Sequence, residues 1–266
     1  MPTSPQNAEQ DPIRYWSELG QRHALASRYD EAIADFENVL RLAADHVLAR
    51  AWLAALQHAS GNPAAGYRPA EMIVESRPAD AALLQRLSAW VVERADLVQD
   101  PADKTTHGGR QSGELRAGDG PLAAELQELL AAEVCEILEL PEPGVASLAA
   151  QGLRISAWTV ILDSGGYQDI HIHQAGVLSG VFYLKIPPMS GSEHAGCLLF
   201  PHTVPWLPPR AGVRPPPPWP VRPESGLLLL FPSYLWHRTE PFRSDEPRIC
   251  IAFDVLPGAP ARHADQ

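Results

Sequence analysis

The chain has 266 residues, 45% of them apolar, and a formal net charge of -11 from 21 basic and 32 acidic side chains. That is enough apolar material for one large domain or two small ones, while the acidic balance excludes a nucleic-acid binder held by phosphate contacts and no apolar run reaches the ~20 residues of a membrane span. The start, MPTSPQNAEQD, lacks the marks of a secretion signal, and Cys135, Cys197 and Cys250, odd in number and far apart, suit the reducing cytoplasm rather than a disulfide framework.

Residues 1–12 read as a disordered N-terminus. Residues 13–100 read as helical. Trp16, Leu19, Gly20, Ala32 and Phe36 stand at the offsets of a tetratricopeptide repeat (TPR) over about residues 13–46. Leu53 and Gly61-Asn62-Pro63 suggest a second, degenerate copy. One repeat cannot bury its own apolar face, so this region must pack on later helices, on the following domain or on another copy of the chain. A docking groove for a peptide is the functional alternative. Residues 101–120 (PADKTTHGGRQSGELRAGDG) are polar and Gly-rich and read as a loop. Residues 121–140 form an amphipathic helix with Leu122, Leu126, Leu129, Leu130, Cys135, Ile137 and Leu138 on its buried side, and Pro121 suits its first turn.

After Pro143 the pattern changes to short β-like runs bounded by Gly and Pro: 155–162, 170–173, 178–186, 197–200, 226–231 and 248–255. Such spacing predicts a sandwich or barrel, which sets a β domain at 121–258 with the helix in front and a tail at 259–266. Leu227–Phe231 is apolar throughout, as in a strand buried on both faces. Residues 201–225 carry ten of the 27 prolines, and a long Pro-rich loop of this kind can serve as a lid over a pocket.

The histidines carry the chemistry. On a strand, side chains two apart share a face, so His171 and His173 point one way and Ile170 and Ile172 the other. Two adjacent imidazoles make a bidentate metal grip, and His237, just after the all-apolar strand, is the candidate third ligand. In the last run Arg248, Cys250, Ala252 and Asp254 share a face, with small neighbours leaving room beside the guanidinium for a carboxylate gripped by two parallel hydrogen bonds. Pairing of Arg248 with Asp245 or Glu246 is the plainer reading of that residue alone. His23, His46, His58, His194 and His202 suggest no chemistry. Trp206, Trp219 and Trp236 could reach a pocket mouth, although Trp236 suits core packing.

The stretches GGYQDIHIH, LSGVFYLKIP, GCLLF, GLLLLFPSYLWHRTEPF and PRICIAFDV, in that order, resemble the iron(II)- and 2-oxoglutarate-dependent dioxygenases. More narrowly, the chain resembles the oxygenases of this superfamily with N-terminal TPR-like helices. The likeness covers residues 155–256 and, more weakly, 100–113. It implies an α+β protein: a double-stranded β-helix (jelly roll) catalytic domain behind an α-helical TPR-like region. It implies Fe(II) as cofactor, 2-oxoglutarate and O2 as co-substrates, and hydroxylation of a C–H bond of a protein, peptide or small molecule with release of succinate and CO2. It also implies His171 and His237 as metal ligands, Arg248 as the clamp on the distal carboxylate of 2-oxoglutarate, and Tyr183 as a second donor to it. The family motif has Asp or Glu where this chain has His173. Three neutral imidazoles leave the metal its full +2 charge, which the 2-oxoglutarate dianion would cancel. Asp169, two residues before His171, is a candidate displaced ligand or a partner orienting an imidazole.

Two other functions fit parts of this pattern. A three-His site can hold a hydrolytic zinc, although zinc leaves Arg248 and Tyr183 unexplained. An inactive β domain behind a peptide-binding helical module is the other. Pairing of two copies through the helical region is a further expectation, and neither nucleic acid nor membrane is an expected partner.

Overall fold

Asp11 starts the first helix. Its carboxylate accepts from the Arg14 N–H at 3.1 Å, and Pro12 occupies the first turn, where a missing N–H costs nothing. The computed structural model describes residues 11–62, 67–140 and 143–258; of the N-terminus 1–12 expected as disordered, residues 1–10 lie outside the described residues, as do Pro63 of the expected second repeat copy and the tail 259–266, whereas Asp11 and Pro12 start a helix. Helix α1 (Pro12–Leu25) pairs with α2 (Tyr29–Leu42), and α2 with α3 (Val47–Ser60). Gly20 admits this closeness, because a Cβ there would come within 2.9 Å of the Phe36 ring. Gly61, left-handed at φ 81°, ends α3 just where Asn62 ends the described segment.

The apolar face of these helices is buried on the rest of the chain. Phe36 stacks on Trp52 at 5.8 Å, Trp52 meets the edge of Trp236 at 6.4 Å, and the Trp236 indole N–H donates to the Ala51 carbonyl at 3.0 Å. Ile170, Ile172, Val204 and Leu207 complete that cluster. The Pro-rich segment therefore lies against the helices: the Tyr29 hydroxyl donates to the Pro208 carbonyl at 2.7 Å. None of residues 201–225 lines the central cavity, so the segment is no lid. It is held by apolar side chains and backbone contacts that its proline content did not reveal. Trp206, at 5.6 Å from Trp236, and Trp219 are partly exposed outside the cavity.

Short helix α4 (Pro69–Met72) and strand β1 (Val74–Ser76) follow, then α5 (Ala81–Val92), β2 (Val98–Gln99), β3 (Thr106–Gln111) and α6 (Pro121–Ile137). After α7 (Val145–Ala150) come β4 (Leu153–His171), β5 (Leu178–Lys185), β6 (Leu198–Phe200), β7 (Trp219–Val221), β8 (Leu228–Pro232), β9 (His237–Thr239) and β10 (Arg248–Pro257). The strands form one curled sheet in the order β1-β8-β5-β10-β4-β9-β6-β7, with β3 also on β4 and β2 on β3. Every pairing is antiparallel. This is the jelly-roll architecture that the sequence led us to expect.

Strand β4 makes the curl. The run expected at 155–162 and the first half of that expected at 170–173 belong to one strand of 19 residues, which ends at His171 and leaves Ile172 and His173 beyond it. Its first half pairs with β10 from Leu153 to Leu162, and its second half with β9 at Gln168 and His171. The segment 101–120, expected as a polar loop, contains β3, which follows β4 through the bend with a register shift between His107 and Gly109. A Cβ on Gly109 would sit 2.4 Å from the Ile161 carbonyl oxygen, and one on Gly166 would sit 2.6 Å from that of Gly108. Only glycines let the two backbones touch there. Within 13–100, expected as helical, β1 adds an edge strand against β8.

Helices α5 and α6 cover the outer face of the sheet. Leu126, Leu130 and Cys135 are buried as expected, together with Ala131 and Val134, while Leu138 is partly exposed past the helix end. The face alternation of β10 holds: Ile249, Ile251, Phe253 and Val255 pack under the helices, and Arg248, Cys250, Ala252 and Asp254 face the cavity. Strand β8 is buried on both sides, with Leu228 and Leu230 in the helix-side core and Leu229 and Phe231 in the other.

Candidate active site

The inner face of the curled sheet surrounds a cavity of about 500 Å³. His171 ends β4, His173 follows it, and His237 opens β9, which pairs with β4 at the His171–His237 position. The pairing brings the rings together: the centroids of His171 and His237 are 4.3 Å apart, those of His171 and His173 5.0 Å, and those of His173 and His237 5.2 Å. One donor atom from each of the three lies within 4.8 Å of the others. Among the described residues this is the one cluster of His, Cys, Asp or Glu that could hold a metal ion.

Each imidazole is fixed from behind. His171 Nδ1 faces the Asp169 carbonyl at 2.6 Å, His237 Nδ1 the Leu235 carbonyl at 2.8 Å, and His173 Nδ1 the Asp254 carboxylate at 2.9 Å. An acceptor at Nδ1 keeps the proton there and leaves the Nε2 lone pair free. Burial, reinforced by the neighbouring imidazoles, lowers His171 to about 4 and holds His237 well below the usual histidine range. Both rings are neutral at pH 7, the form that binds metals. Phe231 lies edge-on to His237 at 5.0 Å, and Trp158 stacks on His173 at 5.7 Å.

Asp169 is turned elsewhere. Its carboxylate accepts from His107 Nε2 at 2.6 Å and is more than half exposed, so it is outside the converging set. It touches the site through its backbone carbonyl, which holds His171. Sequence reasoning placed Asp254 on the cavity face but gave it no part in the site. The hydrogen bond that ties it to His173 spans 81 positions, and no local pattern predicts it.

The other end of the cavity holds Arg248 and Tyr183, which are 1% and 0% exposed. The guanidinium carbon sits 4.9 Å from the centre of the Tyr183 ring. Arg248 Nε and Nη1 and the Tyr183 hydroxyl have no hydrogen-bond partner, and neither Asp245 nor Glu246 bonds Arg248. Burial pushes the Tyr183 hydroxyl up to about 12, so it remains a donor. Buried polar atoms of a folded protein are almost always paired. Orphaned donors lining a cavity suit an anionic guest.

Residues 156–254 match the family model described as "Putative 2OG-Fe(II) oxygenase". That segment holds most of the curled sheet, the three imidazoles and the donor pair, and the model it matches is one of oxygenases dependent on iron(II) and 2-oxoglutarate. The match covers the sheet domain and not the helices ahead of it. A prolyl-4-hydroxylase of Pseudomonas putida is similar in structure, at 17% identity and TM-score 0.50 over 70% of this chain and 93% of that one. HygX of Streptomyces hygroscopicus, solved with nickel and 2-oxoglutarate, is similar at 16% identity and TM-score 0.50 over 70% of this chain and 82% of that one. At such identities the likeness carries the fold alone. No curated protein matches the chain in sequence. The matched family implies Fe(II) as cofactor and 2-oxoglutarate and O2 as co-substrates. The residues present fit both: imidazole nitrogens suit Fe(II), and the orphaned donors suit a carboxylate.

Proposed function

We propose that His171, His173 and His237 hold the iron(II), and that Arg248 and Tyr183 bind the distal carboxylate of 2-oxoglutarate, in an enzyme that hydroxylates a C–H bond. When bound, the metal and the keto acid supply the oxidising power for that bond, with loss of succinate and CO2. The chain's own residues orient and exclude water. The Nδ1 acceptors aim three lone pairs at one point. Phe231 and Leu198 give the cavity apolar walls, and the Arg248–Tyr183 pair lies too deep for bulk water. The single observation that carries this reading is the partnerless donors of Arg248 and Tyr183 in the same cavity as the imidazoles. Zinc hydrolysis leaves those donors without a purpose.

The cavity rim is polar, with Asp103, Lys104, Thr105, Ser112 and Glu114 from the β3 side. Such a rim suits a substrate rich in hydrogen-bonding groups, a segment of protein or peptide before an apolar small molecule. Among the described residues no helix is long and apolar enough to cross a membrane, and the three cysteines are free and buried, which supports a place in the cytoplasm. The proposed domains are the helical region 13–100 and the oxygenase domain 121–258, with β1 and β3 contributed to the sheet from ahead of that boundary. The test is conversion of 2-oxoglutarate to succinate by the iron-loaded protein under oxygen. Absence of any 2-oxoglutarate binding to the metal-loaded protein overturns the reading.

A further inference from the structure

Asp254 stands on β10 on the same face as Arg248, Cys250 and Ala252, toward the other end of the cavity. Its carboxylate lies 2.9 Å from His173 Nδ1 and accepts from the Ser179 hydroxyl at 2.7 Å. Ser179 Oγ is 2.8 Å from Ser233 Oγ. Ser179 is the direct cross-strand neighbour of Asp254 on β5, so the sheet register itself places the hydroxyl against the carboxylate. The Asp254 side chain is 12% exposed. A buried carboxylate is costly unless its oxygens are engaged, and here they meet an imidazole N–H and a hydroxyl.

The three histidines are not held alike. His171 and His237 lean on backbone carbonyls, which carry no net charge. His173 alone leans on a carboxylate, a stronger, charge-assisted partner. His173 is also the residue that stands where the family motif carries Asp or Glu. We propose that Asp254 is the positioning residue for His173: it fixes the Nδ1 proton, aims Nε2 at the metal and returns, one ring away, the negative charge that the substitution by histidine removed. This rests on His173 being the third ligand.

The charge count makes the inference specific. Three imidazoles, Fe(II) and the 2-oxoglutarate dianion sum to zero, and Asp254 brings the local sum to -1, as a carboxylate ligand would. Asp254 therefore strengthens metal binding and does nothing for, or slightly opposes, the incoming dianion. Damage to the site's general architecture would weaken both.

The experiment is an anaerobic iron(II) titration of the full chain, followed by 2-oxoglutarate titration of the metal-saturated protein. The variants are His173→Ala, Asp254→Asn, the double variant and Ser179→Ala, each checked by thermal melting. Asp254→Asn should weaken iron(II) binding about 10- to 100-fold, the range found for such outer partners of a ligating histidine, with 2-oxoglutarate affinity kept or raised. Ser179→Ala, which loosens Asp254 without touching His173, should weaken iron(II) in the same direction by less. The double variant should bind iron(II) no worse than His173→Ala, because Asp254 acts through that ring. The proposal falls if Asp254→Asn binds iron(II) like the unaltered chain while His173→Ala does not, if the two losses multiply, or if 2-oxoglutarate affinity falls alongside. If His173→Ala itself leaves iron(II) binding intact, the third-ligand assignment falls, and the Asp254 proposal falls with it. Should Asp254→Asn fail to fold, Ser179→Ala decides: weakened iron(II) binding there supports the proposal, and normal affinity overturns it.

Discussion

The two ends of the cavity are built on opposite terms. At the histidine end every outward nitrogen has an acceptor, 2.6–2.9 Å away. At the arginine end two guanidinium nitrogens and a phenol hydroxyl have none. The first end is complete without its guest: rings, tautomers and lone pairs are set by the backbone and by Asp254 before any ion arrives, which limits the ordering cost of binding. In the proposed function the second end is completed only by its guest. A buried guanidinium without a partner is destabilising by itself, so this end trades stability for affinity. One end is preorganised, the other frustrated, and the comparison can be broken at either.

The largest effect should come from removing a proposed metal ligand. His237 is buried, backed by Phe231 and Phe200, and held by the Leu235 carbonyl. His237→Ala should lower iron(II) affinity by more than the roughly 100-fold that outer partners reach and abolish succinate formation. The melting temperature of the metal-free protein should fall only moderately, because the ring's polar contact is a single bond to a carbonyl. Unchanged iron(II) affinity in a titration of this variant would move the distal ligand elsewhere.

How far the sequence discloses this comparison depends on the range of each interaction. The spacing of His171 and His173 draws attention to the pair, although β4 ends at His171 and His173 lies just beyond it, while the sharing of a face by Arg248, Cys250, Ala252 and Asp254 follows from strand alternation. His237 is legible because an all-apolar strand runs up to it. The Gly20–Phe36 contact of the helix pair also leaves its mark in the repeat-like spacing. What the sequence hides is whatever depends on a distant partner. Strand β3 is polar, with Gln111 bordering the cavity, and its Gly108-Gly109 pair, which reads as a loop, lets two backbones meet, Gly108 against Gly166 and Gly109 against Ile161. Strand β9 is three residues long, too short for any periodicity. Pro220 argues against β7, which tolerates it at the end of the sheet order. The docking of the helices through Trp236 and the hold of Asp254 on His173 join residues 185 and 81 positions apart.

The next effect in size sharpens the contrast. Arg248→Met removes the proposed clamp and the unpaired charge together. Losing one side of a buried ion pair costs binding about 2–5 kcal/mol, roughly 30- to 4,000-fold, so 2-oxoglutarate affinity of the metal-loaded protein should collapse while iron(II) affinity stays. The metal-free, ligand-free protein should melt at the same temperature or higher, because an apolar chain of similar length replaces an unsatisfied one. Calorimetric titration and melting curves check the two halves. A lower melting temperature with normal 2-oxoglutarate binding would make Arg248 a structural residue and erase the difference between the two ends.

The smallest effect tests the same point one atom at a time. Tyr183→Phe deletes a hydroxyl that bonds nothing in the ligand-free chain and keeps the ring under the guanidinium. A hydrogen bond to a charged group is worth about 1.5–3 kcal/mol, so 2-oxoglutarate affinity should fall roughly 12- to 140-fold, less than for Arg248→Met at its upper range. Stability without ligand should not fall, since an orphaned donor disappears and no contact is lost. Saturating 2-oxoglutarate should then raise the melting temperature of the metal-loaded variant less than that of the unaltered protein at equal concentration, because stabilisation by a ligand follows its occupancy of the folded state. Equal shifts would mean that the hydroxyl points past the carboxylate, leaving Arg248 to hold it alone.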